Sequence, residues 1–179
     1  MNPFILLFEL YMSQVLLYKL GGTYLDLTKE QCLIGFKKSL ENALALIEDS
    51  KILNKKGSHG HSVALSMLAL EECGKAMTLI AVYLEIKNID KELLDIFFRK
   101  HAPKIHLSLL ELALSKEDIA YTETLAPTLD LVKQRGFYVD YIKGKWATPQ
   151  DDDLDKMAKI NLDYAERIYE SVKAYSKIK

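Results

Sequence analysis

The densest group of chemically useful side chains lies in the stretch FFRKHAPKIH, residues 97–106. It holds one arginine, two lysines and two of the four histidines in the chain. Arginine can grip a phosphate with two hydrogen bonds, and a histidine near neutral pH can both take up and release a proton. The combination is typical of a site that holds a phosphodiester and moves protons around it.

Pro103 stands in this stretch and limits how a helix can run there. Proline has no amide hydrogen and disfavours helical backbone at the residue before it. One alternative is a kinked helix that carries Arg99 and His106 about two turns apart on one face. The other is a helix that ends near Lys100 and a new helix that starts at Pro103, whose free amides form an anion site. A third interpretation is purely structural: Arg99 and Lys100 form a solvated helix end while His101 packs behind Phe98.

A second polar group interrupts the most apolar helix of the chain. In LEECGKA, residues 70–76, Glu71 and Lys75 are four positions apart and therefore share a helix face. Gly74 weakens a helix by about 1 kcal/mol relative to alanine, and a glycine at such a position allows another backbone to approach closely. Together with Glu72, these charges form either a surface ion pair beside a packing glycine or a partly buried node that supports a neighbouring site.

The overall charge excludes a global electrostatic function. The 179 residues include 24 Lys plus Arg and 25 Asp plus Glu, which gives a net charge of −1. Such a chain is not drawn as a whole to nucleic acid or to a membrane surface, so any polyanion site must be a local patch. Cys32 and Cys73 are too few for a disulfide scaffold and indicate core thiols in a reducing compartment, which predicts a cytoplasmic protein.

Metal and cofactor sites are not expected from the sequence. His59 and His61 flank a glycine in GSHGHS, residues 57–62, and could join Glu71 or Glu72 as ligands. Two histidines in a glycine-rich loop make a poor metal site by themselves. We therefore predict neither a metal nor a cofactor.

The first 25 residues contain an apolar run, FILLFELYMSQVLLYKL, at positions 4–20. A membrane span needs about 20 apolar residues with few charges, whereas this run contains Glu9, Gln14 and Lys19. No basic segment precedes it and no small-residue cleavage site follows it, so it does not resemble a secretory signal. We expect an apolar N-terminal helix that is buried in the core or in a subunit interface, without stable membrane insertion.

The rest of the chain has helical periodicity almost throughout. Thr28 begins a capping box, and the helix that follows it ends before Gly57. A loop over 57–62 leads to a long, nearly all-apolar helix over about 62–87, of the kind that occupies the centre of a bundle.

The C-terminal half is predicted to contain further helices and one arm. The predicted elements are a helix from about 90 that meets Pro103, a helix from 115 that Pro127 interrupts and Gly136 ends, a short extended or hairpin arm over 137–146, and a last helix over 149–177 with Thr148 as its N-cap and Pro149 at its first position. We expect a single helical domain over 1–179, with its core over 28–135 and an up-and-down topology.

Four segments of the chain, in this order, resemble one known family. They are NALALIEDSKIL (42–53), ALSMLALEECGKAM (64–77), FRKHAPKIH (98–106) and RGFYVDYIKGKWATP (135–149). The Glu-Glu-x-Gly-Lys and Tyr-Val-Asp elements are the most specific parts. On these residues the chain resembles an AbiV-type abortive infection protein, a branch of the HEPN superfamily, over about residues 42–149.

The resemblance implies both a fold and a site. The implied fold is all-α, an HEPN-like up-and-down bundle that works as a homodimer. The signature of HEPN ribonucleases is an arginine followed, after four to six residues, by a histidine, and this chain has six residues between the two. The implied assignments are Arg99 and His106 as the catalytic pair, Lys100, His101 and Lys104 as RNA- or phosphate-binding residues, and Glu71, Glu72 and Lys75 as a supporting polar node.

The chemistry implied by the resemblance is attack of an RNA 2′-hydroxyl on the adjacent phosphate. His106 would act as general base or acid, and Arg99 would hold the phosphate and stabilise the charge on the phosphorane. An alternative makes His101, paired with Lys104, the histidine that matters.

Two classes of function follow as expectations. The first is a phage-defence effector, either a metal-independent endoribonuclease or a translation blocker, with RNA as its substrate and a phage-encoded protein as the candidate trigger. The alternative is a non-catalytic module that binds RNA, a nucleotide or a phage protein. Tyr138, Tyr141 and Trp146 either stack on a base or, as we expect, cover the bundle or a dimer partner.

Overall fold

The computed structural model describes residues 27–85, 91–112, 116–142, 144–151 and 154–177. The predicted N-terminal helix over 1–25 lies outside these ranges. Within them the elements are α1 (Lys29–Lys55), α2 (His59–Tyr83), α3 (Lys91–Arg99), α4 (His101–Leu110), α5 (Lys116–Phe137), β1 (Asp140–Ile142), β2 (Lys145–Ala147) and α6 (Asp155–Ala174), followed by a 3-10 turn (Tyr175–Lys177). The all-α bundle with a short hairpin arm is thereby confirmed.

Helix α2 is the central element of the bundle. It contacts each of the other five described helices, and most of its side chains are buried. The prediction that the most apolar helix occupies the centre is correct, because such a helix gains most when all of its faces leave water.

Helices α1 and α2 are joined by a short connection and pack antiparallel to each other. Its predicted capping box is present, because the Thr28 hydroxyl accepts from the Gln31 amide while the Gln31 side chain accepts from the Thr28 amide. Gly57 has a φ of +77°, a conformation that favours glycine. The predicted loop over 57–62 is wrong in part, since α2 already begins at His59.

The chain breaks between α3 and α4 at a single residue, Lys100, whose φ of −100° and ψ of 141° are extended. The structure therefore has two helices rather than one kinked helix. The second begins at His101, two residues earlier than predicted, and Pro103 is its third residue. A proline is tolerated there because the amides of the first helical turn have no acceptor within the helix.

The C-terminal half departs from prediction at two places. Helix α5 is continuous through Pro127, which was predicted to interrupt it, and it ends at Phe137, next to the predicted end at Gly136. The last helix begins at Asp155, six residues later than predicted. Thr148 instead starts a turn in which its amide and its hydroxyl both donate to Asp151.

The predicted arm is a two-stranded antiparallel hairpin, in which Tyr141 lies opposite Trp146. Gly144, with a φ of +82°, forms its turn. Both aromatic side chains are mostly exposed, as is Tyr138. They therefore do not cover the described part of the bundle. No helix in the described ranges is long and apolar enough to cross a membrane.

Gly74 fixes how closely α4 approaches the central helix. A Cβ atom at this position would overlap the carbonyl oxygen of Lys104. The glycine predicted to permit a close backbone approach is thus the contact point of α2 with α4, the helix that carries His101, Lys104 and His106.

We expect Gly74→Ala to lower the free energy of unfolding by about 1–3 kcal/mol, because the new methyl group must push α4 away. The loss should outweigh the gain of about 1 kcal/mol in helix propensity. Urea unfolding followed by circular dichroism measures the difference. Gly35→Ala is the control: its Cβ would meet the side chain of Leu79, with Cδ1 nearest at 3.0 Å, and no backbone atom. Equal stabilities for the two variants would contradict the prediction.

Candidate functional site

The centre of the candidate site is the carboxylate of Glu71, on the central helix α2. Its residue exposure is only 3%. Three cationic or protonatable side chains reach it: Lys133 Nζ lies 2.5 Å from Oε1, while His101 Nδ1 and Lys104 Nζ lie 2.7 and 3.2 Å from Oε2. Of the two interpretations of LEECGKA, Glu71 therefore fits the buried polar node.

Lys133 is the partner that the sequence analysis missed. It comes from α5, 62 residues from Glu71 along the chain, and its ammonium also lies 2.7 Å from Asp130 Oδ1. The available signal was Asp130 and Lys133 at i,i+3 on a helix. That spacing is common on solvated surfaces, so it does not distinguish a buried pair from an exposed one.

The charges within this node balance. Glu71 and Asp130 supply two negative charges, and Lys104 and Lys133 supply two positive charges, all four side chains being buried or mostly buried. The two ammonium groups therefore compensate the two carboxylates without a contribution from His101. Such balance matters because an uncompensated buried charge is strongly unfavourable.

The environment keeps Glu71 ionised. Burial raises the pKa of its carboxyl. Hydrogen bonds from His101 and Lys133, together with the charge of Lys104, lower this pKa by a larger amount, so it lies below the ordinary glutamate value. For Lys133, burial lowers the pKa of the ammonium, whereas hydrogen bonds to Asp130 and Glu71 raise it above the ordinary lysine value.

His101 is the accessible histidine of the site. Its side chain is 51% exposed although its Nδ1 contacts the nearly buried Glu71. An ionised carboxylate can only accept a hydrogen bond, so Nδ1 must carry the proton. In the neutral ring Nε2 then has the lone pair, which is the arrangement of a general base oriented by a carboxylate.

Two exposed cations directly precede this histidine. Arg99 is the last residue of α3, and Lys100 forms the break. Arg99 Nε donates to the buried Asp95 Oδ1 at 2.8 Å, one helical turn earlier. This ion pair anchors the base of the arginine side chain. The break therefore presents an arginine, a lysine and a histidine at consecutive positions.

His106 lies on α4 with only 5% of its surface exposed, and Lys104 is equally buried. The two members of the predicted catalytic pair thus differ in environment: Arg99 is exposed and His106 is not. Within the described monomer, His101 is more open to a substrate than His106.

Glu72 and Lys75 form a separate pair, with Lys75 Nζ 2.6 Å from Glu72 Oε1. Lys75 therefore pairs with Glu72 rather than with Glu71, although Glu71 shares its helix face. This pair borders a groove between α1 and α2 and does not join the cluster around Glu71.

One set of metal-ligand side chains comes together in the described residues. Glu71, His101 and Asp130 each offer a ligand atom within 4.8 Å of the others. Two lysine ammonium groups already neutralise these carboxylates, so the set is an ion-pair network. His59 and His61 lie at the start of α2, where they contact Asn54 and Ser58, and they do not join Glu71.

The comparison with family models identifies the class of protein. The model described as AbiV, in the HEPN group, matches residues 31–170. This is most of the chain, so the protein belongs to the AbiV family of HEPN proteins, which associates it with abortive infection and phage defence. No curated protein and no solved structure matches it significantly.

We expect Glu71→Gln to lower the free energy of unfolding by about 3 kcal/mol near neutral pH, because removing one partner leaves buried lysine charges uncompensated. The folded-state pKa of Glu71 is lowered, so its stabilisation is complete above the ordinary glutamate pKa of about 4.3. It is lost as the pH falls through the lower folded-state pKa. Urea unfolding at several pH values measures both effects.

Glu72→Gln is the matched control at the next position. Its pair with Lys75 is partly solvated, and such pairs contribute about 0–1 kcal/mol. A Glu71→Gln variant as stable as the Glu72→Gln variant at neutral pH would refute the buried node.

Proposed function

We propose that this protein is an abortive-infection effector that cleaves RNA without a metal ion and works as a homodimer. The observation that carries the proposal is the geometry of His101. An exposed imidazole is oriented by a buried, ionised carboxylate at a helix break, directly after an exposed arginine and an exposed lysine. This is the set of groups that phosphodiester transfer needs: a proton acceptor and cations for the phosphate.

In the proposed reaction, Nε2 of His101 takes the proton of an RNA 2′-hydroxyl. The 2′-oxygen then attacks the adjacent phosphorus, and the bond from phosphorus to the 5′-oxygen of the next nucleotide breaks. The imidazolium returns its proton to that leaving oxygen. The products are a 2′,3′-cyclic phosphate and a free 5′-hydroxyl, so neither an oxidant nor a cofactor is required.

Three features support phosphate binding beside His101. Arg99 and Lys100 supply positive charge, and guanidinium groups match phosphate oxygens well. The first turn of α4 adds free backbone amides and the positive end of the helix dipole.

The competing proposal keeps His106 in the catalytic role that the family resemblance implies. The experiment below distinguishes His101 from His106.

An exposed apolar surface supports self-association. We call it the hairpin face, and it consists of Leu131, Tyr138, Val139, Tyr141 and Trp146, each at least 59% exposed. A neighbouring groove of about 470 Å³ is lined by Arg135 and Asp140 among others. Opposite charges within one patch suit a two-fold interface, in which each residue meets its counterpart from the other copy. Aromatic residues are enriched at such interfaces.

We expect His101→Ala to reduce RNA cleavage about 100-fold or more, since a positioned general base contributes on the order of 10²–10⁴-fold. The measurement is total-RNA integrity in phage-challenged cells. The cells express either the native protein or a single alanine variant of Arg99, His101 or His106. An immunoblot confirms equal protein levels.

His61→Ala is the control histidine, because His61 lies outside the Glu71 cluster. Fragmentation that survives in His101→Ala but disappears in His106→Ala would assign catalysis to His106. Intact RNA in every strain while phage growth is still blocked would reject cleavage and favour the binding module.

We expect Tyr141→Ser/Trp146→Ser to weaken the homodimer by at least about tenfold in Kd, because large aromatic side chains dominate interface energies. The folded monomer should change little, because both side chains are mostly exposed. Analytical ultracentrifugation over a concentration series gives Kd. Ile52→Ser, at a half-exposed position on α1, is the control. A dimer that the double variant leaves intact would place the interface elsewhere.

A further inference from the structure

A groove of about 380 Å³ lies between α1, α2 and the end of α3. Leu79 and Phe98 give it apolar surface, whereas α1 contributes polar side chains such as Ser39 and Asn42, which both donate and accept hydrogen bonds. Ser39 borders the groove although it is only 6% exposed. Sites for small molecules combine apolar surface with a few placed polar groups in cavities of about 300–1,000 Å³. The groove therefore has the composition of a ligand site.

The charged part of the lining is the pair of Glu72 and Lys75 on α2. Their side chains are only 17% and 22% exposed, and Lys75 Nζ lies 2.6 Å from Glu72 Oε1. An ion pair that is mostly withdrawn from water needs further hydrogen bonds to offset its lost hydration. An ammonium has three donors and a carboxylate has two oxygens, so both groups keep hydrogen-bonding capacity beyond their mutual contact. The pair therefore presents a donor and acceptors side by side to an occupant of the groove.

The groove adjoins the candidate site along two helices. On α3, Phe98 lines the groove, and the basic break over 99–101 follows it directly. On α2, Glu71 orients His101, while Glu72, the next residue, borders the groove. Consecutive Cα atoms are only about 3.8 Å apart. A nucleic acid strand with a phosphate at the break can therefore place a neighbouring base in the groove.

We propose that this groove binds a guanine base of single-stranded RNA, next to the phosphate held at the break between α3 and α4. Phe98 stacks on the base. The Watson–Crick edge of guanine carries two adjacent N–H donors, at N1 and N2, beside the acceptor O6. The Glu72 carboxylate accepts from both donors, and the Lys75 ammonium donates to O6. Each of the other three bases offers a carboxylate only one donor group on that edge, so guanine fits the pair best.

This inference rests on the proposed function, because the strand that enters the groove is the RNA substrate. Binding is measured apart from cleavage with 2′-O-methyl RNA, which lacks the attacking hydroxyl. Two fluorescein-labelled octamers are compared at one salt concentration, one of uridine alone and one with a single central guanosine. We expect fluorescence polarisation to give the full chain a Kd about tenfold lower for the guanosine octamer, since paired hydrogen bonds to a base edge discriminate bases on this order.

Variants of the protein and of the base identify the contacts. Glu72→Gln should remove the difference between the octamers, because the amide has one oxygen in place of two. Glu48→Gln is the matched control and should keep the difference, since Glu48 forms the same i,i+3 pair with Lys51 on α1, outside the groove lining. Inosine, which lacks the N2 amino group, should lose most of the preference. A 7-deazaguanosine, whose Watson–Crick edge is intact, should retain it.

Equal or unmeasurable Kd values for the two octamers with the native chain would overturn the proposal, as would a guanosine preference that survives Glu72→Gln. Sequencing the ends that the native chain produces from an unmodified RNA pool separates this inference from RNA cleavage itself. Cuts concentrated beside guanosine would support both. A binding preference for guanosine without any cut would reject cleavage and keep the guanine site, whereas cuts without base preference, together with equal binding, would keep cleavage and reject the site.

Discussion

The interaction on which the site depends is the balance of charge around Glu71. A carboxylate with 3% exposure persists inside a bundle only if cations accompany it. Here the partners of Glu71 on α2 come from two other helices: α4 supplies His101 and Lys104, and α5 supplies Lys133. The same contacts that neutralise Glu71 fix the orientation of an exposed imidazole. Stability of the bundle and geometry of the candidate site therefore rest on one carboxylate.

Backbone geometry makes these contacts possible. Gly74 lets the backbone of α4 lie directly on α2, one helical turn from Glu71, and the Lys104 carbonyl occupies the space of a missing side chain. The extended residue Lys100 ends α3, so that α4 starts in a new direction with His101 in its first turn. Pro103 fits there because it removes an amide that would have had no partner within the helix. A glycine and a proline thus set the position of the histidine.

Much of the fold could be predicted from the sequence, because burial and capping follow local patterns. The central helix, the Thr28 capping box and the hairpin at 140–147 all follow from such patterns. The continuous helix through Pro127 and the late start of the last helix at Asp155 could not, because tertiary packing overrode the local signals. Within the site, Glu71 and Gly74 stood out as exceptions on an apolar helix. The role of Lys133 could not be predicted, because its partner Glu71 lies 62 residues away and no local sequence spacing indicates the contact.

That separation along the chain also bears on when the site comes into existence during synthesis. His101 is 30 residues and Lys133 is 62 residues from Glu71. Contacts of such long range form only after the intervening chain has been made and packed. When only α1 and α2 of a nascent chain have emerged from the ribosome, the Glu71 carboxylate is present without its cationic partners. The complete cluster arises only when α5 has emerged and docked, so a truncated product that ends before Lys133 lacks one of the two buried ammonium groups that compensate Glu71.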